Sequence, residues 1–522
     1  MIREISRRKC LRLWLCKPEY MGRTKWENRF VLLRFWKKNY MMFLKDLKRF
    51  KMERLYDKLK AYSESDFYAF HMPGHKRNKA LLGIELPYDL DITEIDGFDD
   101  LHHADGILKE EQERAARVFG AEESHFLVNG STAGILSAVM GCTHRGDKIL
   151  VARHCHKSIY HAIYMNGLVP RYVYPEFDIS MHMNGEISKE DVAKALAAEP
   201  DIKAVVIVSP NYDGVVSDVK GIAEVAHSYR IPLIVDEAHG PHFGFHPAFP
   251  GRANDLGADV VINSLHKTLP SLTQTAILHI NGKLANRRRI KKYLDMLQSS
   301  SPSYIFMASL DACVDFLDGK CEEAFELYVE RLQKFREELK PLQHLQILRT
   351  EHYDISKVVI STANANITSP ELADRLRKEY HLEMEMTGGT YVLAMTTVAD
   401  TQEGLDRLKS ALLEIDDQLE AKTAVSGSIE ISGELPRLEQ YFTPQEAAER
   451  EEDGEAEEIP WKESEGHISL EYAYLYPPGS PVIVPGERIS REAVELLCYY
   501  ETQNLQIEGI QTEGKIKVWK HE

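Results

Sequence analysis

The sequence predicts an α/β protein: a mostly parallel sheet with helices on both faces, then a smaller α+β domain and a C-terminal domain. Three observations lead there. Short apolar, β-branched runs alternate with helical segments from about residue 125 to residue 263, the pattern of a doubly covered parallel sheet. Each run breaks off into polar, reactive residues, and in open α/β sheets ligands bind beyond the carboxyl ends of the strands. Past Pro341 the rhythm changes to fewer, longer-spaced strands and helices.

Residues 1–51 stand apart. They carry 16 Lys and Arg against 4 Asp and Glu, a net of +12, so the rest of a chain with formal charge −17 carries −29. Arginine or lysine recurs every few residues, which denies this stretch the uninterrupted apolar core of a secretory signal. It is read as a basic extension ahead of a natural start at Met52, with a transit-peptide-like segment or a basic membrane-surface or nucleic-acid arm as alternatives. The acidic remainder speaks against a nucleic-acid partner; it suits cationic small molecules or, as readily, only keeps a large protein soluble. No apolar run approaches the roughly 20 residues that span a bilayer, so no membrane segment is expected. The seven cysteines (Cys10, Cys16, Cys142, Cys155, Cys313, Cys321, Cys498) are odd in number and lack metal-ligand spacing. They fit reduced thiols in a cytoplasmic protein.

An amphipathic helix opens at Met52-Glu53-Arg54-Leu55, and residues 52–90 are read as an N-terminal helix and arm. The arm includes a Pro-Gly turn within Phe70-His71-Met72-Pro73-Gly74-His75-Lys76-Arg77. His102-His103 after the acidic run Asp91 to Asp100 raises the question of a metal. Neither helical His-x3-His nor paired Cys spacing is present, and no metal is expected.

Residues 91–315 are assigned to the large domain. Residues 107–119 read as a helix closed by Gly120. The strand His125–Val128 runs into Asn129-Gly130-Ser131-Thr132-Ala133-Gly134 and an apolar helix through Met140. A helix N-terminus with exposed N–H groups and added hydroxyls holds an anion such as phosphate, although Gly-Ser-Thr also simply caps helices. The pattern is neither a Walker loop nor Gly-x-Gly-x-x-Gly, which counts against nucleotides. Further strands are Lys148–Ala152, ending at Arg153 to Ser158, and Ala204–Val208, ending at Ser209-Pro210-Asn211-Tyr212. Pro232–Val235 ends at Asp236 and Val260–Ile262 at Asn263, with helices at 190–198 and 218–229 between.

A helical stretch over 315–340, stopped by Pro341, leads into the small domain at 316–420. There strands Lys357–Ser361 and Thr390–Met395 alternate with helices 370–379 and 402–420. Residues 421–465, acidic from Glu446 to Glu458, read as a linker or solvated helix. The C-terminal domain, 466–522, holds Tyr476 to Glu487, a helix near 490–504 and a final strand pair.

Lys267 follows its strand beside Ser264 and His266. A lysine shielded from water can lose its proton and attack a carbonyl, but Ser-x-His-Lys alone more often marks a surface lysine. What shifts the balance is the set of groups at the other strand ends. Asp236, ionised in a dry site, is the kind of carboxylate that keeps a pyridine nitrogen protonated in enzymes of pyridoxal 5'-phosphate (PLP). Ala238 lies on the same face if the strand continues, and is small enough to let a ring lie flat. His156 is an aromatic, cation-capable side chain for a ring face, or else an ordinary loop histidine. Ser131 and Thr132 offer hydroxyls to a phosphate, which Ser264 and His266 also have the reach to contact.

At these residues the chain resembles the Orn/Lys/Arg decarboxylase family, bacterial fold-type-I PLP enzymes that decarboxylate basic amino acids. The matching stretches are Pro73-Gly74-His75-Lys76, Asn129-Gly130-Ser131-Thr132, Cys155-His156-Lys157-Ser158, Asp236-Glu237-Ala238-His239-Gly240 and Ser264-Leu265-His266-Lys267-Thr268-Leu269. Tyr476-Pro477-Pro478-Gly479 and Pro485-Gly486-Glu487 complete them, all in family order over about residues 65–490. The resemblance implies the PLP-dependent transferase fold type I, with a mostly parallel, seven-stranded-type sheet flanked by helices. It implies that Lys267 is the Schiff-base lysine, Asp236 the pyridinium partner and His156 the stacking ring. Ser131, Thr132, Ser264 and His266 would serve the phosphate, with Gly130, Ala238 and His239 also around the cofactor. It further implies a cytoplasmic homodimer at least, with the active site at the subunit interface. The substrate would be arginine, lysine or ornithine, giving agmatine, cadaverine or putrescine and CO2. A flavodoxin-like N-terminal domain, present in the large members, has no room before residue 65, and residues 1–51 match nothing in the family. Another PLP reaction, such as that of an aminotransferase, and a non-catalytic regulatory homologue are the alternatives. No residue tells the three substrates apart, because they differ only in the distal cation.

Overall fold

Seven strands carry the large domain: β1 (Glu123–Leu127), β2 (Lys148–Ala152), β3 (Val169–Val173), β4 (Val205–Val208), β5 (Leu233–Asp236), β6 (Val260–Asn263) and β7 (Ala276–Ile280). They belong to a computed structural model that describes residues 54–178, 183–348, 351–421, 434–475, 479–502 and 505–520. The basic extension at 1–51 and the motif residues Tyr476-Pro477-Pro478 lie outside the described residues.

The strands form one sheet in the order β1-β7-β6-β5-β4-β2-β3. Every residue of β4, β5 and β6 is buried, as expected where helices cover both faces of a β-branched run. Each Val or Ile so buried contributes about 1.5–3 kcal/mol. The expected parallel pairing holds among β2, β4, β5 and β6, and β3, which the sequence reading did not single out, joins β2 in parallel. Strand β7, which the sequence reading did not single out, runs antiparallel to both β6 and β1. That double reversal turns β1 back into line with β6. The carboxyl ends of β1, β2, β4, β5 and β6 therefore share one edge.

Helices α1 (Leu55–Ser63), α2 (Ile107–Val118), α3 (Gly130–Cys142), α4 (Lys157–Met165), α5 (Lys189–Ala198) and α6 (Val219–Ser228) fall where the sequence places them or fill the connections. A single turn, α7 (Leu265–Thr268), follows β6, and α8 (Arg287–Leu297) packs on α3. The approach of α8 to α3 is close enough that a Cβ on Gly141 would lie 2.5 Å from Ile290 Cγ1, so only glycine fits there.

The helical stretch expected over 315–340 is two helices, α9 (Tyr304–Leu317) and α10 (Glu322–Glu338). The chain turns between them at Gly319, whose φ of 74° is left-handed, a conformation that breaks a continuous helix. The small domain holds a four-stranded antiparallel sheet, β8 (Gln346–Ile347), β9 (Lys357–Ser361), β10 (Met386–Thr387) and β11 (Tyr391–Met395), in the order β8-β9-β11-β10. Helices α11 (Ser369–Tyr380) and α12 (Gln402–Asp416) accompany it. Helix α12 stops short of residue 420, and the Asp416 carboxylate accepts backbone N–H bonds from Gln343, His344 and Leu345.

The acidic stretch read as a linker is largely built into the C-terminal region. Residues 422–433 lie outside the described residues, but α13 (Pro444–Glu452) starts with a capping box at Thr443, and β12 (Glu439–Gln440) and β13 (Ala456–Pro460) follow the same pattern of use. Strand β13 turns Glu457 and Glu458 outward, and Trp461 beyond it is buried in the regional core. Acidity here marks the wet face of a folded edge. The final strands also differ from the expected pair: β17 (Ile507–Glu508) joins β14 (Ala473–Leu475), while β18 (Lys515–Trp519) joins β13. Strands β15 (Pro481–Ile483) and β16 (Glu487–Arg488) and helix α14 (Arg491–Thr502) complete the region. Among the described residues no helix is long and apolar enough to cross a membrane.

Candidate active site

Strands β5 and β6 are neighbours, with Asp236 opposite Ile262 in the register. Beyond β6, Ser264 caps the α7 turn, and fully buried Leu265 anchors it. The turn brings the Lys267 amine to 2.8 Å from His239 Nε2. Burial drives Lys267 below the ordinary lysine range, against the opposing pull of the Asp236 and Glu385 carboxylates. Asp236 is itself buried, which raises its pKa, while the Lys267 charge and a 3.1 Å bond from the Ala238 N–H favour its ionised form. Lysine and aspartate therefore stabilise each other's charge in a dry site, where such coupling is strong. Ala238 and His239 are both buried on the turn after β5.

His156 caps α4 at the end of β2. Its Nδ1 accepts the Ser158 backbone N–H at 3.2 Å and lies 2.8 Å from the Ser158 hydroxyl. Burial, with repulsion from Lys267, Lys157 and His161, pushes its pKa down to about 4. This ring, read from the sequence as cation-capable, is therefore a neutral imidazole near pH 7.

Gly130 opens the 13-residue helix α3 at φ 73°, a left-handed position that glycine adopts without strain. Ser131 and Thr132 form its first turn on the same sheet edge. The following loop ties this helix end to the lysine turn. Gly130 N–H donates to the Gln274 carbonyl at 3.0 Å, and His266 Nδ1 lies 2.8 Å from the adjacent Thr275 carbonyl. That bond puts the His266 proton on Nδ1, and burial lowers its pKa. The Ser264 hydroxyl is buried and makes no hydrogen bond. An unpaired buried hydroxyl costs about 1–3 kcal/mol, so it marks a place for an acceptor. A helix N-terminus, a hydroxyl left open, a buried carboxylate and a half-buried amine on one edge fit a phosphorylated aromatic aldehyde such as PLP.

Three neighbouring side chains were not singled out from the sequence. The Tyr212 ring, past β4, packs 4.5 Å from the His239 ring, and its hydroxyl donates to the Glu385 carboxylate. Lys357 opens β9 with no exposed surface, and its amine lies 2.7 Å from His239 Nδ1. Burial pushes Lys357 down to about 8, with Asp354 opposing the shift and Lys267 adding to it. Lys357 precedes Val-Val-Ile-Ser, where a lysine ordinarily marks the wet end of a strand. Nothing local distinguishes it. His242 joins the same surroundings, with Nδ1 3.0 Å from Thr268 Oγ1 and Nε2 3.1 Å from Asp354 Oδ1. By contrast, the expected motif around His75 lies on the N-terminal arm, where His75 stacks on Tyr88 at 4.3 Å and meets Asp91 at 3.2 Å. Among the described residues no group of three His, Cys, Asp or Glu is arranged to hold a metal ion.

Comparison with known proteins bears on this site directly. The pattern for the major domain of Orn/Lys/Arg decarboxylases matches residues 53–409, and that for the C-terminal domain of the same family matches residues 433–514. The chain belongs to the Orn/Lys/Arg decarboxylase family. As a member it is an enzyme of the amino acid decarboxylase type. It is 34% identical to the arginine decarboxylase of Bacillus subtilis over 87% of this chain and 95% of that one. It is 25% identical to lysine decarboxylase LdcA of Pseudomonas aeruginosa, over 83% of this chain and 73% of that one. Its fold is that of the Francisella novicida lysine decarboxylase LdcF, with a TM-score of 0.76 at 20% identity over 92% of this chain and 83% of that one. The family's fold is the fold type I expected from the sequence.

Proposed function

We propose that this family member is a PLP-dependent decarboxylase of a basic amino acid, and that arginine is its first substrate. The observation that carries the reading is the half-buried Lys267 amine beside buried Asp236, on adjacent strand ends. Arginine is favoured over lysine because the arginine decarboxylase of Bacillus subtilis matches this chain at 34% identity, against 25% for the Pseudomonas lysine decarboxylase.

Bound at this edge, PLP supplies an electron sink for the pair left on Cα when CO2 departs. The protein's own groups do the rest. Lys267, held toward its neutral form, presents an amine able to attack a carbonyl. Asp236, buried at the end of β5 and bonded by the Ala238 N–H, is the carboxylate placed to keep a proton on a ring nitrogen, whose own positive charge would favour its ionised form. His156, neutral and fixed through Nδ1, offers a flat face for a ring. The N-terminus of α3 with Gly130, Ser131 and Thr132, together with Ser264 and His266, holds a phosphate. Ala238 leaves room beside the ring, and buried His239 closes the site to water.

A homodimer with the site at the subunit interface is part of the same reading. The arm exposes Phe67, Tyr68, Phe70, Met72, Leu81 and Leu82, with Phe70 90% exposed. So contiguous an apolar run normally marks an interaction surface. Cys142, Cys155, Cys313, Cys321 and Cys498 are unpaired, which supports a cytoplasmic location.

The test is to incubate the purified chain and PLP with L-arginine, L-lysine or L-ornithine and identify the product by mass. Agmatine and CO2 from arginine are expected, and Lys267→Ala should abolish both. A keto acid in place of CO2 would make it an aminotransferase. A Lys267→Ala protein that still turned over at the wild-type rate would sink the assignment of Lys267.

A further inference from the structure

His239 meets an amine at each ring nitrogen: Lys267 Nζ at 2.8 Å from Nε2 and Lys357 Nζ at 2.7 Å from Nδ1. A neutral imidazole has one N–H and one lone pair, whereas an ammonium has only hydrogens to give. The lone-pair side accepts from either form of lysine. The N–H side needs an acceptor, and a lysine nitrogen is one only after losing its proton. Protonating His239 instead would aim donors at both amines, and burial with two lysines alongside drives its pKa far down. At most one of the two lysines is therefore an ammonium.

We propose that Lys357 is the proton reservoir of Lys267, exchanging a single proton with it through the His239 ring. In the forward step a proton leaves Lys357 Nζ for His239 Nδ1 while the proton on Nε2 passes to Lys267 Nζ. Lys357 ends as a neutral amine, Lys267 as an ammonium, and the imidazole as its other tautomer. Charge is conserved, nothing is oxidised, and the reverse step resets the device. The inference rests on the reading of Lys267 as the amine that attacks a carbonyl, since an amine that alternates between free and bonded forms must repeatedly gain and lose protons.

The surroundings favour this division of labour. Asp354, Glu385 and Asp213 act on Lys357 as carboxylates, so the stored proton rests there. Lys267 faces Asp236 and Glu385, while His156 and His266, both held toward the neutral form, act on His239 from the other sides. The Tyr212 ring covers the pair, 5.9 Å from Lys267 Nζ and 5.5 Å from Lys357 Nζ. Lys357 is fixed by its N–H to the Asp354 carbonyl at 3.0 Å and by Tyr353 Oη donating to its own carbonyl at 2.8 Å. Gly214 makes room for the stem, since a Cβ there would lie 2.7 Å from Lys357 Cγ. With no exposed surface, Lys357 has no direct supply from solvent.

The experiment measures acetylation of Lys267 by acetic anhydride against pH, read by mass spectrometry on the full chain without cofactor. Lys357→Met should raise the midpoint of Lys267 labelling by about half a pH unit or more, because a neighbouring positive charge is gone. An unchanged midpoint in a variant that melts like wild type would overturn the proposal. A second variant separates charge from proton transfer. Lys357→Arg keeps the charge but cannot release a proton, so turnover of the PLP-loaded enzyme should fall at least about tenfold while its labelling midpoint stays low. Wild-type turnover in Lys357→Arg would overturn the proposal by itself. Labelling needs no cofactor, so its outcome is independent of whether the decarboxylase reading succeeds.

Discussion

Arg153, just past β2, and Lys357, at the start of β9, both have 0% of their surface exposed, yet their partners differ in kind. The guanidinium of Arg153 is held by acceptors. Its guanidinium donates to the Pro481 carbonyl at 2.7 Å, the Val482 carbonyl and the Tyr160 hydroxyl at 3.0 Å, and the Glu487 carboxylate at 3.1 Å. Burial works against this charge, and the Glu487 carboxylate holds it in place. Lys357 has an imidazole as its bonded partner, and burial pulls its proton toward release near pH 8. A guanidinium cannot give up its proton, whereas an ammonium can. The molecule uses the first where two parts of the chain must be locked together and the second where a proton is to move.

The largest effect should come from breaking the lock. Arg153→Met leaves Glu487 as a buried carboxylate without its counter-charge, and a loss of about 3–5 kcal/mol is expected from urea unfolding. Lys357→Met should behave in the opposite way. The depressed pKa means that wild-type stability rises as pH climbs from about 8 toward 10.5. The folded state binds fewer protons than the unfolded state in that window, and the stability gained across it is on the order of 3 kcal/mol. Lys357→Met should lose that alkaline limb and be at least as stable as wild type at pH 7. Equal losses in the two variants would erase the distinction. A smaller effect sharpens it from a neutral group. His154, between Arg153 and the active-site turn, is pushed down to about 4 by burial, and its Nδ1 has no hydrogen bond. Wild-type stability should fall as pH drops from 6.5 to 4, and His154→Leu should flatten that acid limb by about 1–3 kcal/mol in pH-dependent melts.

The same contrast accounts for what could be read from the sequence. Asp236, Lys267 and His156 were legible because each ends or follows an apolar run, and a polar residue at a buried strand end signals a site. The parallel core was legible for the same reason. Lys357 stands at the amino end of its strand, where the same residue type usually reaches solvent, and only the packing of Gly214 and Tyr212 over it shows otherwise. Strand β7 was missed because Ala-Ile-Leu-His-Ile carries no reactive end, and its antiparallel course is set by its neighbours. Over 434–465 the solvated-helix reading holds at α13 and the linker reading does not at β13, because acidic residues on an exposed edge resemble a spacer until a partner strand, here β18, is known. The break between α9 and α10 was hidden because one glycine in a helical pattern does not by itself reveal a left-handed φ.

The C-terminal region grips the chain on both sides of His156. The Ser480 hydroxyl donates to the His154 carbonyl at 2.7 Å, the Lys157 N–H to the Gly479 carbonyl at 3.1 Å, and Arg153 to Pro481. A molecule shortened at about residue 433 would keep the whole Lys267 turn and still present His156 on an unsupported loop. Exchange of C-terminal halves between relatives should therefore succeed only when the seam residues travel together. The unit that must travel intact is larger than the candidate site itself.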